Sequence, residues 1–374
     1  MSRILNSAFA RCCRAAKKCE LRQEEISNRK REFMEYIAHL NEEHIQTIRD
    51  HLYGTAELAG GFAERFGKAD WGYCCGMLHD IGKYSLAFQE KIKNNSSKRV
   101  DHSTAGAKMC FEKGGMYGFM SYCIAGHHSG LPDYGSSSDT GNAPTLEGRK
   151  RKRIEDYSAF KSEIKIPEIN TVPFDPLKSP DPDFSLSVFI RMLYSCLVDA
   201  DFLDTENFMK NGQTLRDAGE DISALLERLK GYVADWLQNK DKDTVNGRRT
   251  EILRHCFEKG ISERGIFQLT VPTGGGKTIA SLAFALQHAV ENHMDRVIYV
   301  IPYTSIIEQN AEIFRRILGD QNVLENHYNV DYESSEELKP MQLSAENWDK
   351  PVVVTTNVQF FESLFANKSS RCRK

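Results

Sequence analysis

An adjacent histidine and aspartate, His79 and Asp80, follow a short apolar run in the stretch GMLHDIGK at residues 76–83. A buried imidazole beside a buried carboxylate is costly unless each group has a partner. The surrounding pattern predicts a helix that is about to be buried, so the fold must bring either an ion pair or a cation to this point. Neighbours on a helix point about 100° apart. Both side chains can therefore serve one ion only at a helix end, unless the aspartate bridges two ions.

Other metal-ligating residue types gather in the same part of the chain, since seven of its eleven histidines lie between His39 and His128. Five imidazoles with two carboxylates suit a pair of first-row transition ions. Two such ions roughly 4 Å apart can activate water and stabilise an in-line phosphoryl displacement. An isolated His-Asp pair is more often a surface or salt-bridged pair, so the prediction of a metal site depends on the whole combination. The further candidate ligands are His51, His102, His127, His128 and Asp201.

Composition places few limits on function. The net charge of -3 argues against attraction of nucleic acid to the whole surface, although it allows a local basic groove. No apolar run approaches the roughly 18 residues of a membrane span. The ten cysteines include no CxxC spacing, which predicts reduced thiols in a cytoplasmic protein.

The pattern of residue types predicts two domains with distinct architectures. Residues 1–33 are expected to be a basic N-terminal extension, for which a leader, a misassigned start codon and a genuine extension all fit. Residues 34–239 favour a helical domain, in which the proline-rich segment 131–183 is a long insertion or mobile loop. A linker is expected at 240–249. In 250–374, the runs GIFQLTVP, RVIYVIP and PVVVTT predict buried parallel strands separated by helices.

A glycine-rich stretch, LTVPTGGGKT, stands between one predicted strand and a predicted helix. In this setting, backbone N–H groups bind a phosphate chain at the helix N-terminus. Lys277 would reach the β and γ phosphates of ATP and Thr278 would ligate Mg²⁺. Val271 occupies the first glycine position of GxxxxGK[ST], and a glycine-rich turn without nucleotide is the alternative. The predicted ATP-binding residues are Gly274, Gly275, Gly276, Lys277 and Thr278.

The motifs together resemble a known family. HLYGTAELAGGFA, MLHDIGKYSLAFQEKI, DHSTAGA, IAGHHSGL and LVDADFLDTE are similar to the HD metal-dependent phosphohydrolase superfamily. In order and spacing they resemble the HD nuclease domain of the CRISPR-associated nuclease-helicases of type I systems, most of all the type I-C branch. PTGGGKT is similar to the first motif of superfamily-2 helicases. The resemblance covers roughly residues 34–366 and implies an all-α HD domain followed by an incomplete α/β RecA-like lobe.

The resemblance also implies a set of ligands for two divalent transition-metal ions, Mn, Fe, Co or Ni. One ion would be held by His51, His79, Asp80 and Asp201, and the second by Asp80, His102, His127 and His128. Asp201 matches the last aspartate of the superfamily, whereas Asp199 is expected to be structural and Asp204 lies one turn on. Lys83 would face the phosphate or the attacking water, and a solvated lysine at a helix end is the alternative.

The implied function is a metal-dependent endonuclease that cuts single-stranded DNA in CRISPR interference, with Asp80 and Lys83 as catalytic residues. Its partner would be a crRNA-guided multi-subunit surveillance complex. The basic run RKRKR at 149–153 either contacts phosphates or is a solvated loop. Two other functions stay open: an HD phosphohydrolase acting on nucleotides or small phosphate esters, and a non-catalytic protein that binds the DNA or the complex.

The helicase motifs are expected to be incomplete. No Asp-Glu dipeptide occurs in the 374 residues, so the DExx carboxylate that completes the Mg²⁺ site of this helicase class is missing. The second RecA-like lobe is missing too, and the tail NKSSRCRK is expected to be a truncation. Efficient ATP hydrolysis and strand translocation are therefore not expected of this chain alone.

Overall fold

The computed structural model describes residues 35–41, 44–213, 218–239, 241–327, 346–365 and 372–373. The predicted N-terminal extension, residues 1–33, lies outside them. The contacts divide the chain into two compact units, the first ending at Gly212 and the second beginning at Gln213. Among the described residues, no helix is both long enough and apolar enough to cross a bilayer.

In the described residues of the first unit, the regular structure is helical apart from one small antiparallel hairpin. The hairpin strands are β1 (Ile37–Leu40) and β2 (Ile45–Thr47). The helices are α1 (Ile48–Glu64), α2 (Ala69–Leu78), α3 (Leu86–Lys93), α4 (Ser103–Lys113), α5 (Tyr117–Gly126), α6 (Leu146–Arg151) and α7 (Pro182–Met209). A short 3-10 turn, Ile81–Tyr84, joins α2 to α3.

Helices α1 and α2 pack against each other almost backbone to backbone. A Cβ atom added at Gly76 would lie 2.4 Å from the Cα atom of Ala56, and one at Gly72 would lie 2.2 Å from the carbonyl oxygen of Ala59. Only glycine permits so close an approach. This contact fixes the C-terminal end of α2, where His79 and Asp80 follow, relative to α1, which carries His51.

The segment 131–183, predicted as an insertion and called the insertion below, packs on the helices beside it. The Asp70 carboxylate at the start of α2 accepts hydrogen bonds from the backbone N–H groups of Asn170 and Thr171 and from the Thr171 hydroxyl. The indole N–H of Trp71 donates to the carbonyl oxygen of Thr171. Farther along α2 and its following turn, the hydroxyl of Tyr84 donates to Glu163. These bonds hold the second half of the insertion against α2 and the turn after it.

The second unit is an α/β lobe. Its helices are α8 (Ile222–Leu237), α9 (Val245–Gly260), α10 (Lys277–Glu291), α11 (Thr304–Leu318) and α12 (Asn357–Phe365). Its strands are β3 (Val297–Ile301), β4 (Val323–Asn326) and β5 (Val352–Thr356). The three strands form a parallel sheet in the order β3-β5-β4, with Val297 and Val323 each paired to Val352. The predicted fold class, an all-α domain followed by an incomplete α/β lobe, is confirmed.

Two features differ from the sequence prediction. Helix α8, which we assigned to the helical domain ending at 239, buries Leu225, Leu226 and Leu229 in the core of the second unit. Its amphipathic pattern shows that one face is buried but does not identify the neighbour. Helix α9 also begins at Val245, inside the expected linker.

The strand predicted for GIFQLTVP is not formed. Residues 265–272 lie outside the three strands, and the side chains of Ile266, Phe267 and Leu269 are exposed. A strand needs a neighbouring strand for its backbone hydrogen bonds. Among the described residues, β3 and β4 are the edge strands and each pairs only with β5, so this segment pairs with neither open edge.

Candidate metal centre

The structure brings all seven predicted ligands together, and most of them lie at helix ends. His79 follows the last residue of α2, and the backbone of Asp80 leaves the helical conformation (φ -118°, ψ 19°). This change of direction lets two adjacent side chains face the same centre. His102 caps the N-terminus of α4 and His127 the C-terminus of α5. The remaining ligands are His51 in the first turn of α1, His128 after α5 and Asp201 in α7.

Four of these residues form the inner set: His51, His79, Asp80 and Asp201. The Nε2 atom of His51 lies 3.5 Å from Oδ2 of Asp80 and 3.4 Å from Oδ1 of Asp201. The Nε2 atom of His79 lies 3.4 Å and 3.5 Å from the same two oxygens. Ligand atoms that are each about 2.0–2.2 Å from one ion are separated by about 3–3.6 Å. The inner set therefore has the spacing of a single coordination sphere.

The other three residues form the outer set together with Asp80, which belongs to both sets. The outer set is therefore Asp80, His102, His127 and His128. Oδ1 of Asp80 lies 3.5 Å from Nε2 of His102 and 3.3 Å from Nε2 of His127. The Nε2 atoms of His102 and His128 are 2.8 Å apart. Asp80 thus directs Oδ2 to the inner set and Oδ1 to the outer set, which is the arrangement of a carboxylate that bridges two ions.

Nε2 of His51, His79 and His127 is free of hydrogen bonds at the centre, whereas Nε2 of His102 is within hydrogen-bond distance of Nε2 of His128. The Nδ1 atoms of His79, His102 and His127 face the carbonyl oxygens of Gly76, Val100 and Ile124, at 2.7, 3.1 and 2.8 Å. Each ring can then donate from Nδ1 and present a lone pair on Nε2. Five buried atoms of the centre lack a hydrogen-bond partner: Nε2 of His51, His79 and His127, and both carboxylate oxygens of Asp80. Since such atoms are costly when buried, this donor set fits divalent transition ions.

The charges of the centre also favour cations. Burial opposes ionisation of Asp80, but Lys83 and neighbouring histidines hold its pKa well below the ordinary value. The neighbouring imidazoles of His51 and His79 likewise outweigh burial and keep the pKa of Asp201 well below the ordinary value. Burial and the charge of Lys83 oppose protonation of His51, yet the carboxylates of Asp201, Asp204 and Asp80 around its ring raise its pKa to about 10. Two ionised carboxylates in a buried site require positive charge.

Lys83 supplies part of that charge. Its side chain is buried, which excludes the alternative of a solvated lysine at a helix end. The ammonium lies 2.8 Å from Oδ2 of Asp80 as an ion pair, although not along the direction of a hydrogen bond. It also lies 3.1 Å from Nε2 of His39, a residue of β1 that the sequence reasoning did not select. The ring of His39 packs edge-on against His51, with 4.7 Å between centroids.

Asp204 is a second residue of the centre that the sequence reasoning passed over. Its Oδ2 atom lies 2.7 Å from Nδ1 of His51, on the side of the imidazole away from the inner set. Asp201 and Asp204 are three residues apart on α7 and therefore share a face. That spacing was the signal that both carboxylates reach the same region.

The basic run at 149–153 binds the protein itself. Arg149 donates to the carboxylate of Asp101, at 2.9 Å, and to the hydroxyl of Thr104. Lys152 pairs with the same carboxylate. Arg151 donates to backbone carbonyl oxygens within the insertion. These contacts anchor the insertion next to His102 through Arg149 and Lys152, whereas Lys150, Arg151 and Arg153 are exposed to solvent.

In the second unit, the glycine-rich loop leads directly into α10. Gly274 and Gly276 have φ angles of 82° and 80°, which favour glycine, and Lys277 is the first residue of the helix. A cavity of about 840 Å³ lies beside the loop, between Lys277 and Thr278 on one side and the ends of α8 and α9 on the other. This loop and cavity have the form of a phosphate-binding site at a helix N-terminus.

Comparisons with known proteins agree with this architecture. The family model described as HD domain matches residues 48–159, and the model described as DEAD/DEAH box helicase matches residues 250–374. A curated relative, the CRISPR-associated nuclease/helicase Cas3 of Haloferax volcanii, is 33% identical over 38% of this chain and 19% of its own length. The chain therefore combines an HD domain with a DEAD/DEAH box helicase domain and is similar to this Cas3 protein over part of its length. Its HD domain implies divalent metal binding and its helicase domain implies nucleotide binding.

Solved structures of T. fusca Cas3 are also similar. The crystal structure of T. fusca Cas3 has 14% sequence identity and a TM-score of 0.48, and its ATP complex has 15% identity and a TM-score of 0.49. In both cases the match covers 91% of this chain and 45% of the other. The chain therefore spans about a fifth of the curated relative and less than half of the solved ones.

Proposed function

We propose that the HD domain is a metal-dependent endonuclease that cuts single-stranded DNA, with one divalent transition-metal ion in each set. The observation that carries the proposal is the bridging position of Asp80, whose two oxygens face different imidazoles. When bound, two such ions would supply charge that stabilises an in-line displacement at phosphorus and would lower the pKa of a water molecule.

In this proposal the protein's own residues bind the ions, orient them and exclude water from behind them. Asp80 holds the two sets next to each other, and Lys83 keeps Asp80 ionised. The side chains of His51 and His79 are fully buried, whereas that of His102 is 15% exposed and His128 is exposed. The outer set is therefore the side from which a phosphodiester approaches, and the inner set excludes water behind it.

The helicase domain and the partner complete the proposal. We infer that ATP with Mg²⁺ binds at Gly274–Thr278, supported by the glycine conformations and the adjoining cavity. The relative's name, CRISPR-associated nuclease/helicase, supports a role in CRISPR interference. The single-stranded DNA would then be presented by a crRNA-guided multi-subunit surveillance complex, as the type I-C resemblance implies.

A comparison of substrates tests the proposed reaction. The purified chain is incubated with Mn²⁺ and one substrate at a time. The substrates are single-stranded DNA, duplex DNA and nucleoside mono- and triphosphates. We expect cutting of single-stranded DNA and no turnover of the nucleotides. Turnover of nucleotides without cutting of DNA would favour the HD phosphohydrolase acting on small phosphate esters. DNA binding without any turnover at saturating Mn²⁺ would favour the non-catalytic alternative.

A further inference from the structure

We propose that the two metal positions have unequal affinities and that Asp204, acting through His51, makes the inner position the tighter one. The inference rests on the proposed metal centre and deepens it. Asp204 would be a positioning residue, since its carboxylate contacts an imidazole and not the ion.

One histidine of the inner set, His51, has a different kind of Nδ1 partner from the others. The Nδ1 atoms of His79, His102 and His127 face neutral carbonyl oxygens, whereas that of His51 faces the Asp204 carboxylate at 2.7 Å. A carboxylate in this position fixes the tautomer, orients the ring and makes Nε2 a more basic ligand. Among these histidines, only His51 of the inner set has this support.

Asp204 is itself held in place by α1 and by the strand before it. The side-chain amide of Gln46 donates to Oδ2 of Asp204 at 2.8 Å. A Cβ atom at Gly54 would lie 2.1 Å from Oδ1 of Asp204, so α1 has a glycine where this carboxylate from α7 approaches. The contact is between side chain and backbone, and any larger residue at position 54 would displace the carboxylate.

Burial separates the two sets in the same direction. His51, His79 and Asp80 have no exposed side-chain surface, and Asp201 is 15% exposed. In the outer set, His128 is exposed to solvent. A desolvated set with charged ligands strengthens electrostatic attraction to an ion and slows its exchange with water. The inner ion should therefore stay bound through dialysis, while the outer ion exchanges.

Metal titration of the whole chain tests this inference without reference to catalysis. The protein is stripped with a chelator, titrated calorimetrically with Mn²⁺, and analysed for metal content after dialysis against metal-free buffer. Wild type should show two classes of site and retain one ion. Asp204→Asn should weaken the tighter class by about 10–100-fold and leave the weaker class unchanged. Because a general folding defect would weaken both classes, the unchanged class is an internal control.

Two glycine variants on α1 make the test independent of charge. Gly54→Ala should displace Asp204 and also weaken the tighter class. Gly61→Ala is its matched control, because a Cβ atom at Gly61 meets nothing within 4 Å, and it should leave both classes as in wild type. His128→Ala should remove only the weaker class.

The possible outcomes separate this inference from the proposed function. Equal affinities in wild type, an unchanged tighter class in Asp204→Asn, or loss of the tighter class in His128→Ala would each overturn the inference. Two unequal classes that respond as expected, in a protein that cuts no DNA, would support the inference and contradict only the proposed function. A folded wild type that binds no Mn²⁺ would overturn both.

Discussion

Divalent ions should stabilise the HD domain strongly, and Asp80→Asn should abolish that stabilisation. Five buried atoms of the centre lack hydrogen-bond partners, and each such group costs about 1–3 kcal/mol. An ion that binds only the native state contributes about 2.7 kcal/mol when its concentration is a hundred times its Kd, so two ions contribute about 5 kcal/mol. For a unit of this size, about 200 residues, each kcal/mol moves the Tm by about 2–4 °C. The expected shift is therefore about 10–20 °C.

Thermal unfolding followed by far-UV circular dichroism measures this shift, with Mn²⁺ or Ni²⁺ added to chelator-stripped protein. Asp80→Asn removes the charge of the one carboxylate shared by both sets and should lose most of the shift. Asp50→Asn is the control, since Asp50 is an exposed carboxylate in the first turn of α1 and should leave the shift unchanged. The reasoning is refuted if the Tm of wild type does not move, or if Asp80→Asn retains the full shift.

Three further predictions concern other parts of the chain. ATP with Mg²⁺ should quench the fluorescence of Trp236, which is 44% exposed at the cavity while the other two tryptophans are buried, and Lys277→Ala should prevent it. Although burial opposes it, hydrogen bonds from Thr171 and backbone amides hold the pKa of Asp70 below 3.8. The stability that these bonds contribute is present above about pH 3.8 and is lost as the pH falls through the lower pKa of the folded state. The free energy of urea unfolding, plotted against pH, should therefore fall less steeply on the acid side in Asp70→Asn than in wild type. Arg149→Ala should lower the free energy of urea unfolding by about 1–3 kcal/mol, because it breaks a charged hydrogen bond to Asp101. It should leave the salt dependence of DNA binding unchanged. A smaller slope of DNA affinity against salt concentration in the variant would show that Arg149 contacts phosphate.

The candidate metal centre was largely predictable because its ligands come in local motifs. An adjacent histidine and aspartate can bind metal in two ways. Both side chains bind one ion at a helix end, or the aspartate bridges two ions. The contributions of His39 and Asp204 were not predictable in the same way. Their roles depend on which distant residue they face, Lys83 for one and His51 for the other, and a single sequence does not record such contacts.

In the helicase domain, the strands RVIYVIP and PVVVTT were predicted correctly as β3 and β5, because β-branched runs are typical of buried parallel strands. GIFQLTVP is also mostly apolar but forms no strand, because strand formation depends on tertiary context as well as on propensity. Strand β4 was missed because its four residues, VLEN, carry too short an apolar run to stand out.

The most direct test of the central claim is the cutting of circular single-stranded DNA, because a circle has no ends and only an endonuclease opens it. Purified wild type and Asp80→Ala are compared with Mn²⁺ or Ni²⁺ and with EDTA. We expect wild type to linearise and then degrade the circle only when the ion is present, and Asp80→Ala to leave it intact. An intact circle after incubation with folded, metal-loaded wild type, or cutting that persists in Asp80→Ala, would contradict the claim.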